Sequence, residues 1–395
     1  MTRLSAALAG LRVLDLSQGI AGPYCAFMLR QQGAEVVKLE PPGGDWARKM
    51  GFAPVAGFTA PVLACNAGKR SLCLDLRKPD GVAAAKRLAQ RADVVVQSFR
   101  PGVADRLGLG AAALCAADPR LVYVSISGFG AEGPLVDLPA TDTVMQAMTG
   151  MMKVNGDEVG TPRRIGLHVA DIATALYAAQ MTTAALLRRE REGVGDHVEV
   201  SLLQACAAFQ STAIVESALR AAVGAPAPSS ASSAPSGVFQ TADGFISLAI
   251  GNEAMFASLC EALGQTDWKT DARFVDMASR LAHAPVLNAA AAACLRRQPS
   301  AWWVERLRHH GVLHAEVLDY AQLADHPQSR QQGIFGTIEL PGVGALPAAR
   351  HPGADPVAVA AQVPGVGADN DAILMEAGFS AEEMAGLRTA GALVD

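Results

Sequence analysis

The chain lacks the residue patterns that announce metal, disulfide or nucleic-acid chemistry. Its seven cysteines, at positions 25, 65, 73, 115, 206, 260 and 294, are scattered, odd in number and free of any Cys-x-x-Cys pair. That argues against a disulfide framework and for buried, reduced thiols, so a cytoplasmic location is expected. The eight histidines form no His-Glu-x-x-His motif, and no metal ligation is expected. Charged residues make up only 18% of the chain, with a net charge of −5 and no block of one sign. A nucleic-acid or membrane-surface partner is therefore not expected, although a few local Lys or Arg would suffice for a phosphorylated ligand. No apolar run reaches the roughly 18 residues of a membrane span, and Arg12 and Asp15 interrupt the stretch where a signal peptide would have its apolar core. A Gly-x-x-x-x-Gly-Lys-Ser/Thr loop and a Gly-x-Ser-x-Gly elbow are both missing, against a nucleoside-triphosphatase and a nucleophile-elbow hydrolase. There is no repeat of 20–50 residues.

What is present is a large apolar inventory. Half of the 395 residues are hydrophobic, more than one core usually holds, so two domains are expected. "LRVLDLS" (Leu11–Ser17), a helix closed by Gly33 and "AEVVKLE" (Ala34–Glu40) read as strand, helix, strand within about 30 residues, a βαβ unit that implies a parallel sheet. The alternation continues through a helix opened by Pro79, strands at Asp93–Phe99 and Leu121–Gly130, a long helix over Ile172–Arg191, and a strand opening at Asp196. "VGAPAPSSASSAPSG" (Val223–Gly237) reads as a linker. Beyond it come two alternating strands around an Ala-Asp-Gly turn, helices at Met255–Leu263, Leu287–Leu295 and Ser300–His309, and strand character at Phe335–Pro347. The expected fold is α/β: a large Rossmann-like domain with a parallel sheet over 1–222, a linker at 223–237, a smaller α+β domain over 238–325, and a segment over 326–395 returning to the large domain.

Beyond the basic residues near strand ends, three features carry candidate chemistry. "GFGAEG" (Gly128–Gly133) follows a strand, but Pro134 and "LVDLPA" do not open a helix, so a tight turn is preferred over a dinucleotide fingerprint. "SQGIAGP" lies in the first βα turn, at the carboxyl end of a strand, where open α/β sheets bind ligands. Lys69, Arg70, Arg77, Arg100 and Arg106 lie near strand ends, each a plain surface charge alone but together able to hold phosphates. The third feature is Asp171, the one carboxylate in "GLHVADIATAL". It precedes the predicted helix, so it reads either as an N-cap or as a group the protein uses. A carboxylate at a helix N-terminus is stabilised as an anion. Such an anion is deprotonated at pH 7 and needs no partner base to act as a nucleophile.

Seven stretches, "LRVLDLSQGIAGPYCAFMLRQQGAEVVKLEPPGGD", "NAGKRSLCLDLRKPDG", "ADVVVQSFRPGVADRLGL", "YVSISGFGAEGP", "GLHVADIATALYAAQMTTAALLRREREGVGDHVEVSLL", "TADGFISLAIGN" and "LADHPQSRQQG", together resemble the class III CoA-transferase (CaiB/BaiF) family. That family includes formyl-CoA transferase, the carnitine CoA-transferases and the α-methylacyl-CoA racemases. The resemblance implies an interlocked homodimer and CoA bound over the carboxyl ends of the strands. Carried over by position, CoA contacts fall at Gln18, Ile20 and Ala21, at Leu74 and Arg77, at Ser98 and Phe99, and at Arg106 and Leu107. Asp171 falls on the family's catalytic aspartate. The resemblance implies coenzyme A or an acyl-CoA as substrate, a carboxylic acid as acceptor and no permanently bound cofactor. It also implies a mobile segment at Ala249–Glu253 that excludes water from the site; small-domain residues near Phe239, Met255 and Phe256 are expected to shape the acyl pocket.

The chain departs from its relatives in three places. The racemases carry a His where this chain has Thr141, and threonine does not abstract an α-proton at neutral pH. His168, three residues before Asp171, is the other nearby candidate for an acid/base. Pro41, Ile20 and Ser236 replace an Arg, a Gln and a Tyr common in the family. The extended glycine loop of formyl-CoA transferase is absent, which argues against formate and oxalate as the substrate pair. The leading expectation is CoA transfer through an aspartyl anhydride and an aspartyl-CoA thioester. The alternatives are an α-methylacyl-CoA racemase and a non-catalytic CoA-binding relative.

Overall fold

The computed structural model describes residues 3–52, 54–156, 160–224, 233–353 and 362–395. The chain divides into two compact units, Met1–Ser211 with Gln328–Asp395, and Thr212–Pro327. Most of the Pro/Ala/Ser stretch at 223–237 lies outside the described residues.

The first unit is built on six parallel strands: β1 (Arg12–Asp15), β2 (Glu35–Glu40), β3 (Arg70–Cys73), β4 (Val94–Gln97), β5 (Val122–Ser127) and β6 (Asp196–Ser201). Their order is β3-β2-β1-β4-β5-β6, the doubly wound arrangement in which strand order reverses between β1 and β4. Strands buried on both faces read as apolar runs, and "VVVQ" of β4 is buried throughout. One face is covered by α1 (Ala21–Gln31), α2 (Asp142–Met148), α3 (Val169–Glu192) and α4 (Leu202–Phe209). α1 packs along α3, joined by small residues such as Ala175, Ala178 and Ala179, which are buried. The opposite face is covered by the helices Pro79–Ala89, Asn370–Glu376 and Ala381–Thr389. The chain's end returns here: Leu393 bridges Leu74, and Asn370 Oδ1 accepts from the Cys73 N–H at 2.9 Å. A hairpin of β10 (Phe335–Leu340) and β11 (Gly344–Ala349) belongs to the same unit.

The second unit holds the antiparallel sheet β7 (Ser236–Gln240), β8 (Phe245–Ala249) and β9 (His314–Glu316). The helices Glu253–Leu263, Ala284–Leu295 and Ser300–His309 pack against it. Helix α5 (Ser211–Ala222) falls almost wholly within this unit, so the division precedes α5 rather than following it at 222. Phe239 and Phe256, expected near an acyl pocket, are buried in this unit's core, with Met255 packed against them. Among the described residues no single helix is long and apolar enough to cross a membrane; α4 and α5 reach that measure only as a pair bent by 67°.

Candidate active site

A helix connecting β5 to a parallel neighbour must run back against the strands. α3 does so, which places its first turn, and Asp171, at the carboxyl edge of the sheet. Gly193, at φ +76°, closes its far end, where a residue with a Cβ would be strained. The helix starts at Val169, three residues earlier than the sequence suggests. Asp171 is therefore the third residue of the helix and not its cap. The cap position is His168, whose side chain makes no capping bond.

The cap comes from elsewhere. Asp142 Oδ1 accepts from the backbone N–H groups of Ala170 and Asp171, at 2.8 and 3.4 Å. Asp142 is the first residue of α2 and is buried. Its Oδ2 accepts from Gln146 Nε2 at 2.6 Å. Gln146, fully buried, also donates to the Leu167 carbonyl at 3.0 Å and accepts from the Ile165 N–H at 2.9 Å. One residue further back, Thr141 caps α2 itself, accepting from the Val144 N–H at 3.4 Å. The position that holds the racemase base is thus occupied by a helix cap.

Burial pushes the Asp171 carboxyl up, and the neighbouring Asp142 charge adds to it, to about 7. The burial that surrounds this carboxyl therefore favours its protonated form, against the sequence expectation of a plainly ionised group. Among the described residues neither Asp171 oxygen accepts a hydrogen bond, so the side chain is free to react. Two cysteines feel the same charge. Burial first, then Asp142 and Asp171, push the Cys206 thiol to about 11, and burial is the main cause of the rise of Cys65 to about 12. Both stay protonated and inert at neutral pH. One ring nitrogen of His168 and one oxygen each of Asp142 and Asp171 lie within 4.8 Å of one another. The Nδ1 atom of His168 is buried without a hydrogen-bond partner among the described residues.

The expected CoA contacts gather at the point where strand order reverses. Gln18, Ile20 and Ala21 follow β1, Ser98 and Phe99 follow β4, and the two turns are tied by a bond from the Gln18 N–H to Ser98 Oγ at 3.0 Å. Gly19 sits at φ +85°, and a Cβ there would collide with the Trp46 ring. Its N–H donates to both oxygens of Asp45, at 3.0 and 3.1 Å. Beneath this turn lies a buried charge cluster. Lys69 bonds Asp15 at 2.8 Å, Lys38 lies 3.1 Å from Asp45 and 3.8 Å from Asp15, and Arg48 pairs with Glu40 at 2.7 Å. Lys38 also donates to the Ser17 carbonyl. Burial alone would raise the Asp15 carboxyl, but Lys38 and Lys69 together outweigh it and hold it below the usual carboxylate range. Lys69 is thus a floor to the turn rather than a phosphate ligand, and Arg70, paired with Glu376, lies at the opposite end of its strand.

The remaining expected contacts divide. Arg77 is 82% exposed, lies after β3 and grips Asp75 with two bonds of 2.8 Å, holding that carboxyl at about 2. Arg106 is exposed at the end of the helix Val103–Arg106, while Leu107 and Phe99 are half-buried against the core. The Leu74 side chain is fully buried, so it offers no surface to a ligand; Ile20 and Ala21 are buried as well, leaving the turn's backbone as their contribution. A cavity of about 400 Å³ opens beside this region, lined by Phe99, Arg100, Ser125, His197, Glu199 and Gln204 among others. "GFGAEG" forms the turn after β5, with the Gly130 N–H on Ser127 Oγ and no helix behind it, as its Pro134 suggests.

Sequence reasoning missed Asp142 and Gln146. The available signal was a Thr-Asp pair opening an apolar helix, with Gln one turn later.

The family model of CoA-transferase family III matches residues 8–370. An acetyl-CoA:oxalate CoA-transferase of Acetobacter aceti is 36% identical over 84% of this chain and 87% of its own. A succinate–glutarate CoA-transferase of Agrobacterium fabrum is 36% identical over 70% of this chain and 71% of its own. The crystal structure of a CaiB/BaiF family protein from Brucella suis superposes with a TM-score of 0.82 at 30% identity, covering 94% of this chain and 99% of that one.

Proposed function

The chain belongs to CoA-transferase family III, and from that premise we propose that it moves CoA between an acyl-CoA and a free carboxylic acid through covalent intermediates on Asp171. The observation that carries this reading is a half-buried carboxylate on the first turn of α3 that accepts no hydrogen bond among the described residues and is raised toward neutrality. Its oxygen attacks the donor thioester carbon, the C–S bond breaks and CoA leaves as thiolate. The thiolate then attacks the aspartyl carbonyl of the mixed anhydride and releases the donor acid. The acceptor carboxylate displaces CoA from the aspartyl thioester, and the thiolate finally takes the new acyl group and frees Asp171. Each step exchanges one carbonyl substituent and none consumes water.

Arg77 and Arg106 serve as phosphate anchors for CoA, and the Gln18–Ala21 turn lies along the cofactor's path. Both named relatives act on dicarboxylic acids, which supports a dicarboxylate on at least one side of the exchange. The missing glycine loop argues against oxalate and the Acetobacter aceti relative argues for it, so oxalate belongs in the assay panel. Racemisation finds no support. It calls for proton-transfer groups on both sides of an α-carbon; Thr141 is a helix cap, and threonine does not abstract an α-proton at neutral pH. A homodimer is supported by α5, which buries none of its residues in the single chain and exposes Ile214, Val215 and Leu219.

The test is mass spectrometry after incubation with acetyl-, succinyl- and glutaryl-CoA. A hydroxylamine-sensitive adduct on Asp171, lost in Asp171→Asn, is the expected result. Full acceptor-dependent exchange by Asp171→Asn would refute the mechanism.

A further inference from the structure

The first turn of α3 brings two carboxylates and an imidazole together, and the carboxylates are not equivalent. Asp142 accepts three N–H donors and caps a helix. Asp171 accepts no such donor among the described residues, and burial first and the Asp142 charge second favour its protonated form, in which it is disabled as a nucleophile. Among the described residues no lysine or arginine bonds either carboxylate. Cys65 on the helix Ala60–Asn66 and Cys206 on α4 are the other titratable groups facing Asp171, and both are protonated. That leaves His168, at the cap position of the same helix, with a buried ring nitrogen that has no partner. One ring nitrogen of His168 lies within 4.8 Å of an oxygen of each carboxylate, a gap that one bridging water spans.

Resting on the reading of Asp171 as nucleophile, we propose that His168 is a positioning residue that accepts the proton from the Asp171 carboxyl and holds it, as imidazolium beside Asp142, while the Asp171 carboxylate attacks the thioester. The proton moves from an Asp171 oxygen to a ring nitrogen. The freed electron pair then forms the C–O bond as the C–S pair leaves on sulfur. The imidazolium remains to balance the thiolate's charge. The same three groups have the spacing of a metal site, but both Asp142 oxygens already accept N–H donors and a helix N-terminus disfavours a cation.

Initial exchange rates for wild type, His168→Asn and His168→Gln between about pH 5.5 and about pH 9 test this. Removing the imidazole leaves Asp171 protonated to higher pH. The expected result is a loss of about tenfold near pH 6.5 that shrinks to within about threefold at pH 9, partly restored by added imidazole. Profiles parallel to wild type, or an equal loss at every pH with a lowered Tm, overturn the proposal. So does inhibition by EDTA that a divalent ion reverses. The hydroxylamine-sensitive Asp171 adduct is followed in parallel: its absence from wild type defeats the nucleophile reading itself, whereas its presence with an unmoved His168 profile defeats only the role of His168.

Discussion

At the scale of a residue, Asp171 trades stability for reactivity. Its folded-state carboxyl is raised to about 7 from an ordinary 3.8. Below about pH 3.8 the group is neutral in both folded and unfolded chains and contributes nothing. As pH rises through that value toward 7, the unfolded chain sheds the proton first, so folding is progressively penalised, fully so above 7. Asp171→Asn should therefore stabilise the protein by on the order of 1–3 kcal/mol at pH 8 and hardly at all at pH 4, in urea melts at the two pH values, while abolishing exchange. Burial and the Asp142 charge alone would put the acid limb of kcat/KM near 7, the midpoint expected once the His168 imidazole is removed. Replacing Asp142 by Asn keeps an oxygen for the cap and deletes the like charge, so the limb should move to lower pH in a pH–rate series.

At the scale of an element, the start of α3 is set by α2, and this explains where the sequence stopped being readable. The six-stranded sheet was largely legible because buried parallel strands spell apolar runs such as "VVVQ". β3 was not: "RSLC" opens on Arg70 and lacks an apolar run, and its open edge is covered by Asn370 and, just past its end at Leu74, by Leu393, some 300 positions later. The catalytic candidate was legible as Asp171, but its environment was not. The carboxylate that caps α3 and raises Asp171 lies 29 positions upstream, and no local pattern links the two. The helix boundary shifted for the same reason, since a cap supplied through space needs no capping residue in the adjacent sequence. Gln146→Ala should loosen both helices at once. It removes bonds to Asp142, Ile165 and Leu167, and a loss of about 2–3 kcal/mol is expected in chemical denaturation, with faster hydrogen exchange at Ala170 and Asp171.

At the scale of the whole molecule, the first unit places the turns proposed to meet CoA where strand order reverses, and its own C-terminal helices close the far face of the sheet. With Arg77 and Arg106 as exposed cations in an otherwise acidic chain, CoA affinity should fall as salt is raised. Arg77→Ala and Arg106→Ala should each flatten that salt dependence in a titration while leaving the maximal rate nearly intact. Ser98→Ala, which unties the β1 and β4 turns, should raise the KM for CoA thioesters by about three- to tenfold with little change in kcat. The exposed apolar side chains of α5 predict a particle of twice the chain's mass in light scattering, and Leu219→Asp should shift it toward the monomer.

The charge cluster under the first turn also has a hereditary side. Lys38, Arg48 and Lys69 face Asp15, Glu40 and Asp45, three of each sign, all buried but the half-buried Arg48. Losing one member leaves an uncompensated charge in the interior, so drift one substitution at a time is blocked. The six positions behave as a single inherited character. Lineages that alter the floor of this turn must pass through coordinated replacements, and a library that varies these positions independently will return mostly unfolded chains, whereas one that varies them jointly, as neutral sets, will not.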